Sequence, residues 1–492
     1  MPASPRYILS LDEGTTSARA VLYDSEGRRL AMESNPTESH FPQPGWVEQY
    51  ALGIWERQLD AARRALESAR VRPKEVAAIG ITNQRETTVL WDRRTGEPVA
   101  PAIVWQCRRT AEYCRQLAAS ADGPEVERRT GLVIDAYFSA SKIRWILDNT
   151  PGVRRRDLLF GNIDTWLVWK LTGGASHVTD VTNASRTMLM NLDTGDWDEH
   201  LLNVFGIPRE ILPRIIRSSE LAGTAQASHL GAEIPICGIA GDQQAALFGQ
   251  ACFHAGLSKN TYGTGCFALL HTGPQRPTSP HKLLATRAAQ IDTTPQYAVE
   301  GSVFVAGAAV QWLRDGLGLI SSAAESEPVA ESVSDSNGVY LVPAFTGLGA
   351  PHWDGSARGI ITGLTRGATR AHIVRAALES IAYQTRELVE AMESGSGQRL
   401  TELRVDGGAT VNNFLMQFQA DILGVPIVRP ADTETTALGA AYLAGLAAGV
   451  WKDTRQLEQF WRAERTFQPK MAHSSRERLY DGWKEAVRKC RS

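Results

Sequence analysis

A run of small polar residues near the start of the chain, Asp12-Glu13-Gly14-Thr15-Thr16-Ser17, closes the apolar stretch Ile8 to Leu11 and has a cation close by at Arg19. Consecutive amides beside a glycine can wrap a phosphate, because glycine allows close approach and the N–H groups present fixed positive ends. Asp12 adds the hard carboxylate oxygen that Mg²⁺ takes, directly or through water. The same residues also suit a plain hairpin turn in which Asp and Thr bond their own backbone. A second such run, Tyr262-Gly263-Thr264-Gly265, lies in the other half of the chain, and two facing turns of hydroxyls and amides suit a polyphosphate better than one. Asp406-Gly407-Gly408-Ala409, with Asn412 and Asn413 beyond, offers bare backbone to a flat base or ribose, or forms only a tight turn.

Acid–base chemistry has one strong candidate. Gly241-Asp242-Gln243-Gln244 follows the apolar run Ile234 to Ala240, so Asp242 stands at a strand end or a helix start. There it acts as an N-cap, or as the general base that accepts a hydroxyl proton during phosphoryl transfer. Arg85 and Glu86 are adjacent charges in a polar connection between apolar runs, forming a solvated ion pair or bonding the hydroxyls of a small substrate. Trp105, Tyr137 and Phe267 taken singly read as core; together they can wall a small pocket and cover CH groups. No GxxxxGK[ST] pattern occurs, which excludes a Walker-type P-loop.

These residues need elements to hold them. Ile8 to Leu11 and Ala18 to Tyr23 predict a hairpin around the first turn, and Leu257 to Gly273 predicts another around the second. The shared layout suggests an internal duplication, though hairpins with Gly-Thr turns are common in their own right. Leu52, Trp55, Leu59, Ala62 and Leu66 fall at helical spacing, and so do Ile373, Val374, Ala377, Leu378, Ile381, Leu388 and Met392. A strand pair is predicted around Ile79-Gly80-Ile81 and Thr87 to Trp91. Leu403 to Val405 reads as a strand running into Asp406. The Ala- and Gly-rich stretch Thr435 to Trp451 reads as a buried helix, since it falls short of the ~20 apolar residues a membrane span needs.

At 492 residues the chain exceeds the size of a single core, and the boundary between two mixed α/β domains is placed near Phe253 to Gly256. Hydrophobic residues at 43% and charged residues at 22% exclude a disordered or fibrous chain. A net charge of −2 gives no global field for nucleic acid or an anionic membrane, so any bound anion must be held by local groups. Six dispersed cysteines with no CxxC pair, and no signal-like N-terminus, predict a reducing, cytoplasmic setting without structural zinc.

Taken in order, these strings resemble the FGGY carbohydrate kinase family, within it the branch that phosphorylates glycerol. LDEGTTS (Leu11 to Ser17), GITNQRETT (Gly80 to Thr88), IVWQCRRT (Ile103 to Thr110), GIAGDQQAALFGQ (Gly238 to Gln250), NTYGTGCF (Asn260 to Phe267) and PAFTGLGAP (Pro343 to Pro351) carry the likeness. YFSASKIRWILDN (Tyr137 to Asn149) and Gly359 to Glu379 add broader family signatures, so that coverage runs from about Tyr7 to Trp451. The resemblance implies an α/β fold of two duplicated ribonuclease H-like domains of the actin/Hsp70 type, residues 1–253 on the substrate side and 254–492 on the nucleotide side. It implies transfer of the γ-phosphoryl of Mg·ATP to the 3-hydroxyl of glycerol, giving sn-glycerol 3-phosphate. By this match Arg85, Glu86, Trp105, Tyr137, Asp242, Gln243 and Phe267 contact glycerol, with Asp242 as base and Asp12 toward the metal. Thr15, Thr16, Ser17 and Arg19 hold the nucleotide from one side. Thr264, Gly307 and Gln311, then Gly408, Ala409 and Asn412, hold it from the other. A homodimer or homotetramer is the family's usual assembly.

Three departures bear on this. Glu13 stands where family members carry Gln; a carboxylate there repels phosphate unless it faces away, supports the metal's water shell or pairs with a cation such as Arg19. Ala225 to Glu233 lacks the Gly-Thr-Arg pattern tied to fructose 1,6-bisphosphate inhibition in some relatives. His229, near a position that is phosphorylated in others, reads as a plain surface histidine. Two alternatives stay open on the sequence: a kinase for another polyol or sugar such as erythritol, xylulose or ribulose, and a non-enzymatic ATP-binding relative of actin or Hsp70.

Overall fold

Two twisted sheets of the same design organise the chain. The computed structural model describes residues 6–278, 283–345, 347–352 and 354–491; Thr346, inside the string Pro343 to Pro351, lies outside the described residues. Numbered in chain order, the first sheet holds β1 (Tyr7–Glu13), β2 (Ser17–Tyr23), β3 (Arg29–Pro36), β4 (Val76–Asn83), β5 (Ser219–Ala225) and β6 (Ile234–Gly241), in the order β5-β6-β4-β1-β2-β3. The second holds β7 (Leu257–Tyr262), β8 (Cys266–Gly273), β9 (Leu284–Arg287), β10 (Tyr297–Val303), β11 (Glu402–Asp406), β12 (Ile427–Pro430) and β13 (Ala463–Phe467), in the order β9-β10-β8-β7-β11-β12-β13.

The run β3-β2-β1-β4-β6 therefore repeats as β10-β8-β7-β11-β12, with the first three strands antiparallel and the last three parallel in both. The duplication expected from two Gly-Thr turns is real at the level of topology. Both turns are the tips of hairpins: Gly14 N–H bonds Ser17 O at 2.9 Å, and Gly263 N–H bonds Gly265 O at 2.9 Å.

The predicted helices form at Ala51–Ser68 and Arg370–Ser396, the apolar stripe of each turned inward. One pairing differs from expectation. Val89–Asp92 is a strand, but it pairs with Leu158–Gly161 rather than with β4. The Gln84–Glu86 connection breaks the register, because Glu86 adopts a left-handed backbone at φ +62° that no ladder accommodates.

Two short helices lock the halves together. The helix Asp242–Gly249 follows β6 and sends Leu247 into a cluster with Leu269 and Ala298 of the second sheet. The helix Thr435–Ala447 follows β12 and lies on the first sheet, where Ser10 Oγ bonds Ala437 O and Ser219 Oγ bonds Leu443 O, both at 2.8 Å. Their backbones touch. A Cβ on Gly439 would sit 1.8 Å from Ala245 O, and one on Gly249 would sit 1.9 Å from Thr435 O. The small residues thus serve helix packing, as expected for a buried helix. Among the described residues no helix is long and apolar enough to cross a membrane. His229 is half-buried, edge-on to the Trp55 ring with centroids 5.1 Å apart, and so is not the plain surface histidine expected.

Candidate active site between the two sheets

The candidate site lies where the end of β1 and the face of the second sheet that carries Lys259 approach the start of the helix Asp242–Gly249. On β1, successive side chains leave opposite faces of the strand. Asp12 faces Arg19, its direct cross-strand partner, with Oδ2 2.6 Å from Arg19 Nη2, and Arg19 Nη1 also bonds Glu434 at 2.8 Å. Burial raises the Asp12 pKa to about 6, against the pull of Arg19 and with the added repulsion of Glu434 and Asp242. One arginine thus faces two carboxylates, Asp12 and Glu434. Glu13 leaves the other face, fully buried, and accepts from Thr37 Oγ1 at 3.3 Å. Burial and the Asp12 charge push its pKa well up; Arg19 pairs with Asp12 and not with Glu13.

The first turn is braced from behind. Gln84 Nε2 donates to Gly14 O at 3.3 Å and Gln49 Nε2 to Thr15 O at 2.8 Å. The Trp105 indole N–H donates to Thr15 Oγ1 at 2.9 Å, which leaves the Thr15 hydroxyl proton free to donate elsewhere. Trp105 in turn meets Tyr137 edge-on, centroids 5.4 Å apart. A residue expected only to wall the pocket is therefore joined to the first turn.

Arg85 is buried, its Nη1 and Nη2 paired with Glu300 at 2.5 and 2.9 Å and its Nε 3.1 Å from Asp242 Oδ1. Glu86 Oε1 accepts from Arg186 Nε at 2.6 Å. The strained Glu86 backbone is held by its carbonyl, which accepts from Thr88 Oγ1 at 3.1 Å, Ser139 Oγ at 3.2 Å and Lys142 Nζ at 3.3 Å. Burial lowers the Lys142 pKa to about 8. Asp242 opens the helix after β6, and its side chain is about a third exposed. The register places Lys259, Thr261, Phe267 and Glu300 on one face of the second sheet. From that face Lys259 Nζ donates to Gln243 Oε1, which fixes the Gln243 amide.

The second turn is enclosed by backbone. Gly307 N–H bonds Gly263 O at 3.0 Å, and a Cβ on Gly307 would stand 2.6 Å from that oxygen. Gly407, at φ +91°, has its Cβ position 2.4 Å from Tyr262 O, which brings Gly408 and Ala409 beside the turn. Gln311 lies one helical turn beyond Gly307 in the helix Gly307–Asp315. Asn412 is engaged within the protein: its Oδ1 caps the helix Asn413–Leu423 by accepting from Leu415 N–H at 2.9 Å and its Nδ2 donates to Ser326 Oγ at 3.2 Å. A cavity of about 630 Å³ opens between Arg19 and the Asp406–Thr410 segment, lined also by Arg429 and Glu434, which the sequence reading did not single out.

Family models match both halves of the chain. The N-terminal domain of the FGGY family of carbohydrate kinases matches residues 7–249, and its C-terminal domain matches residues 258–448. The chain belongs to the FGGY family of carbohydrate kinases. It is 57% identical to glycerol kinase 2 of Thermotoga maritima over 98% of both chains. It is 58% identical to the glycerol kinase of Symbiobacterium thermophilum, over 99% of this chain and 98% of the other. Among solved structures, Plasmodium falciparum glycerol kinase with ADP superposes with a TM-score of 0.94 at 37% identity, covering 99% of this chain and 98% of that one.

Besides Arg429 and Glu434, the sequence reading missed three charged residues around Arg85 and Gln243. Arg186 and Glu300 complete an ion network with Arg85 and Glu86, and Lys259 supports Gln243. Each is a lone charge inside an apolar or small-residue string, such as Glu300 in Tyr297–Val303; that is the available signal, since an unpaired charge seldom survives burial.

Proposed function

We propose that this FGGY kinase transfers the γ-phosphoryl group of ATP to the 3-hydroxyl of glycerol, giving sn-glycerol 3-phosphate and ADP. The likeness to glycerol kinases over nearly the whole of both chains supports the substrate, and one arrangement carries the chemistry: Asp242, on a helix start, faces Arg85 at 3.1 Å. Glycerol is too small to gain much from apolar burial, so its three hydroxyls must carry recognition. In this reading Arg85, Glu86 and Gln243 bond them while Trp105, Tyr137 and Phe267 cover the carbons. Asp242 Oδ accepts the proton of the attacking hydroxyl as its oxygen bonds to phosphorus and the bond to the ADP oxygen breaks.

Residues 1–253 form the substrate-side domain and 254–492 the nucleotide-side domain, with Phe267 and Glu300 reaching back across the cleft. Thr15, Thr16, Ser17 and Arg19 face the phosphates from the first turn, Thr264 from the second. Gly307, Gln311, Gly408 and Ala409 flank the nucleoside, with the remaining Asn412 amide hydrogen beside them.

Mg²⁺ suits the donors present. Asp12 supplies a buried carboxylate in a neighbourhood with excess negative charge. Among the described residues no cluster of three or more His, Cys, Asp or Glu forms a metal cage, and Mg²⁺ commonly takes one or two carboxylates plus substrate phosphates. Asp12 would hold the ion, which when bound neutralises phosphate charge.

ADP release measured across a panel of polyols and sugars tests the reading. Glycerol should accelerate turnover most; acceleration by erythritol, xylulose or ribulose instead, or slow turnover independent of any acceptor, would overturn it. Asp242→Asn should bind glycerol and ATP as the parent does and lose about 10³-fold or more in kcat.

A further inference from the structure

Arg85 is served by both halves of the molecule. Its own half supplies Asp242 and, to Nη1, Gln244 Oε1 at 3.2 Å, whereas Glu300 comes from β10 of the second sheet and takes both Nη atoms. Glu300 also accepts from Arg186 Nη2 at 3.2 Å, so one carboxylate holds two arginines. It is buried, yet Arg186 and Arg85 keep its pKa below the ordinary carboxylate value in spite of that burial. Two buried donors of the network lack an aligned acceptor: Arg85 Nε, which points along the Asp242 side, and Arg186 Nη1.

We propose that Glu300 is a positioning residue that holds the Arg85 guanidinium edge-on to Asp242, so that Nε alone faces the reacting hydroxyl and Asp242 keeps a lone pair for the proton. The idea rests on the assignment of Asp242 as base. A guanidinium and a carboxylate left to themselves prefer the two-bond, fork-on-fork pair. Arg85 stands close enough to Asp242 to make it, and the bidentate grip of Glu300 on the two Nη atoms prevents the rotation it requires. Without Glu300, Arg85 would turn both N–H edges on Asp242, and the base would be occupied before any acceptor arrived. Glu86 would not replace Glu300, because its Oε1 already accepts from Arg186 Nε at 2.6 Å and lies 4.0 Å from Arg85 Nε.

The test is a double-mutant cycle on the full-length enzyme with its own acceptor, using Glu300→Gln, Arg85→Gln and the pair, with steady-state kinetics at saturating acceptor. Glu300→Gln should lower kcat at least 100-fold while the KM for ATP stays within twofold, a split that a general loosening of the fold would not give. The pair should be no slower than Glu300→Gln alone, because the residue that occupies Asp242 is gone. A kcat within threefold of the parent for Glu300→Gln, or losses that multiply in the pair, would overturn the proposal. If Glu300→Gln does not fold, the pair is compared with Arg85→Gln: kcat values within twofold support the role and a further tenfold loss refutes it. Each value is a ratio to the parent with whichever acceptor the parent uses, so an error in the choice of glycerol would show separately in the polyol panel.

Discussion

The two hairpin turns share a topology and differ in what does the work. At the first, side chains carry the chemistry: Asp12 and Arg19 face each other, Thr15 takes the Trp105 indole N–H, and two glutamines hold the turn's carbonyls. At the second, no charged side chain belongs to the turn. Gly263 and Gly265 are instead pressed against the backbone of Gly307 and Val303, and Gly407 against Tyr262. A duplicated scaffold can thus specialise one copy toward charge and the other toward bare backbone, without changing strand order. The practical lesson is that the first turn is sensitive to removed atoms and the second to added ones.

That contrast can be broken at several points. Gly265→Ala should do the most harm, because its Cβ would lie 2.3 Å from Val303 O and backbone must move to admit it. We expect the KM for ATP to rise on the order of 100-fold and stability to fall by about 1–3 kcal/mol, read by kinetics and by thermal unfolding. A silent Gly265→Ala would end the claim that the second turn works through close backbone approach.

The halves should respond alike to acid. His177 in the first half and His271 on β8 are each held neutral by burial, with pKa values lowered to about 4. The unfolded chain takes a proton on each near pH 6.5 that the folded chain refuses down to about 4, so this stability is present above pH 6.5 and is lost as the pH falls through that window. His177→Gln and His271→Gln should each remove about 2 kcal/mol of the difference in stability between pH 7.5 and pH 5. Calorimetry across that range checks it, and an unchanged slope in either variant would show that the ring is not held neutral there.

Thr15→Val removes one hydroxyl from the first turn and should lower kcat/KM for ATP about tenfold. Trp105→Phe, which keeps the ring and deletes the indole N–H, should add little in the Thr15→Val background; additive losses would mean that Trp105 acts on the acceptor alone. Smallest of all, Glu13→Gln should leave the KM for ATP within twofold, since the buried side chain leaves β1 on the face opposite Asp12 and bonds Thr37. A large fall in KM would place its charge against the phosphates after all.

Much of this was legible in the sequence. Glycine and hydroxyl clusters at strand ends marked both turns, and an aspartate after an apolar run marked Asp242, because those features are local. What stayed hidden was long-range pairing. Nothing in Thr87 to Trp91 encodes Leu158–Gly161 as its partner, since alternation of apolar residues gives a face and not a neighbour. Glu300 was not singled out, because its partners Arg85 and Arg186 lie 215 and 114 positions away in the sequence. Asn412 has a second role that its motif did not announce: its side chain caps the helix Asn413–Leu423.

The crossed helices carry a consequence for how the protein can be handled. Each half finishes its interior with a segment encoded beside the other, joined where the bare face of a glycine meets a carbonyl of the facing helix. A gene cut between the halves would yield two fragments, each with an uncovered sheet and a stranded helix, so activity would return only on mixing them.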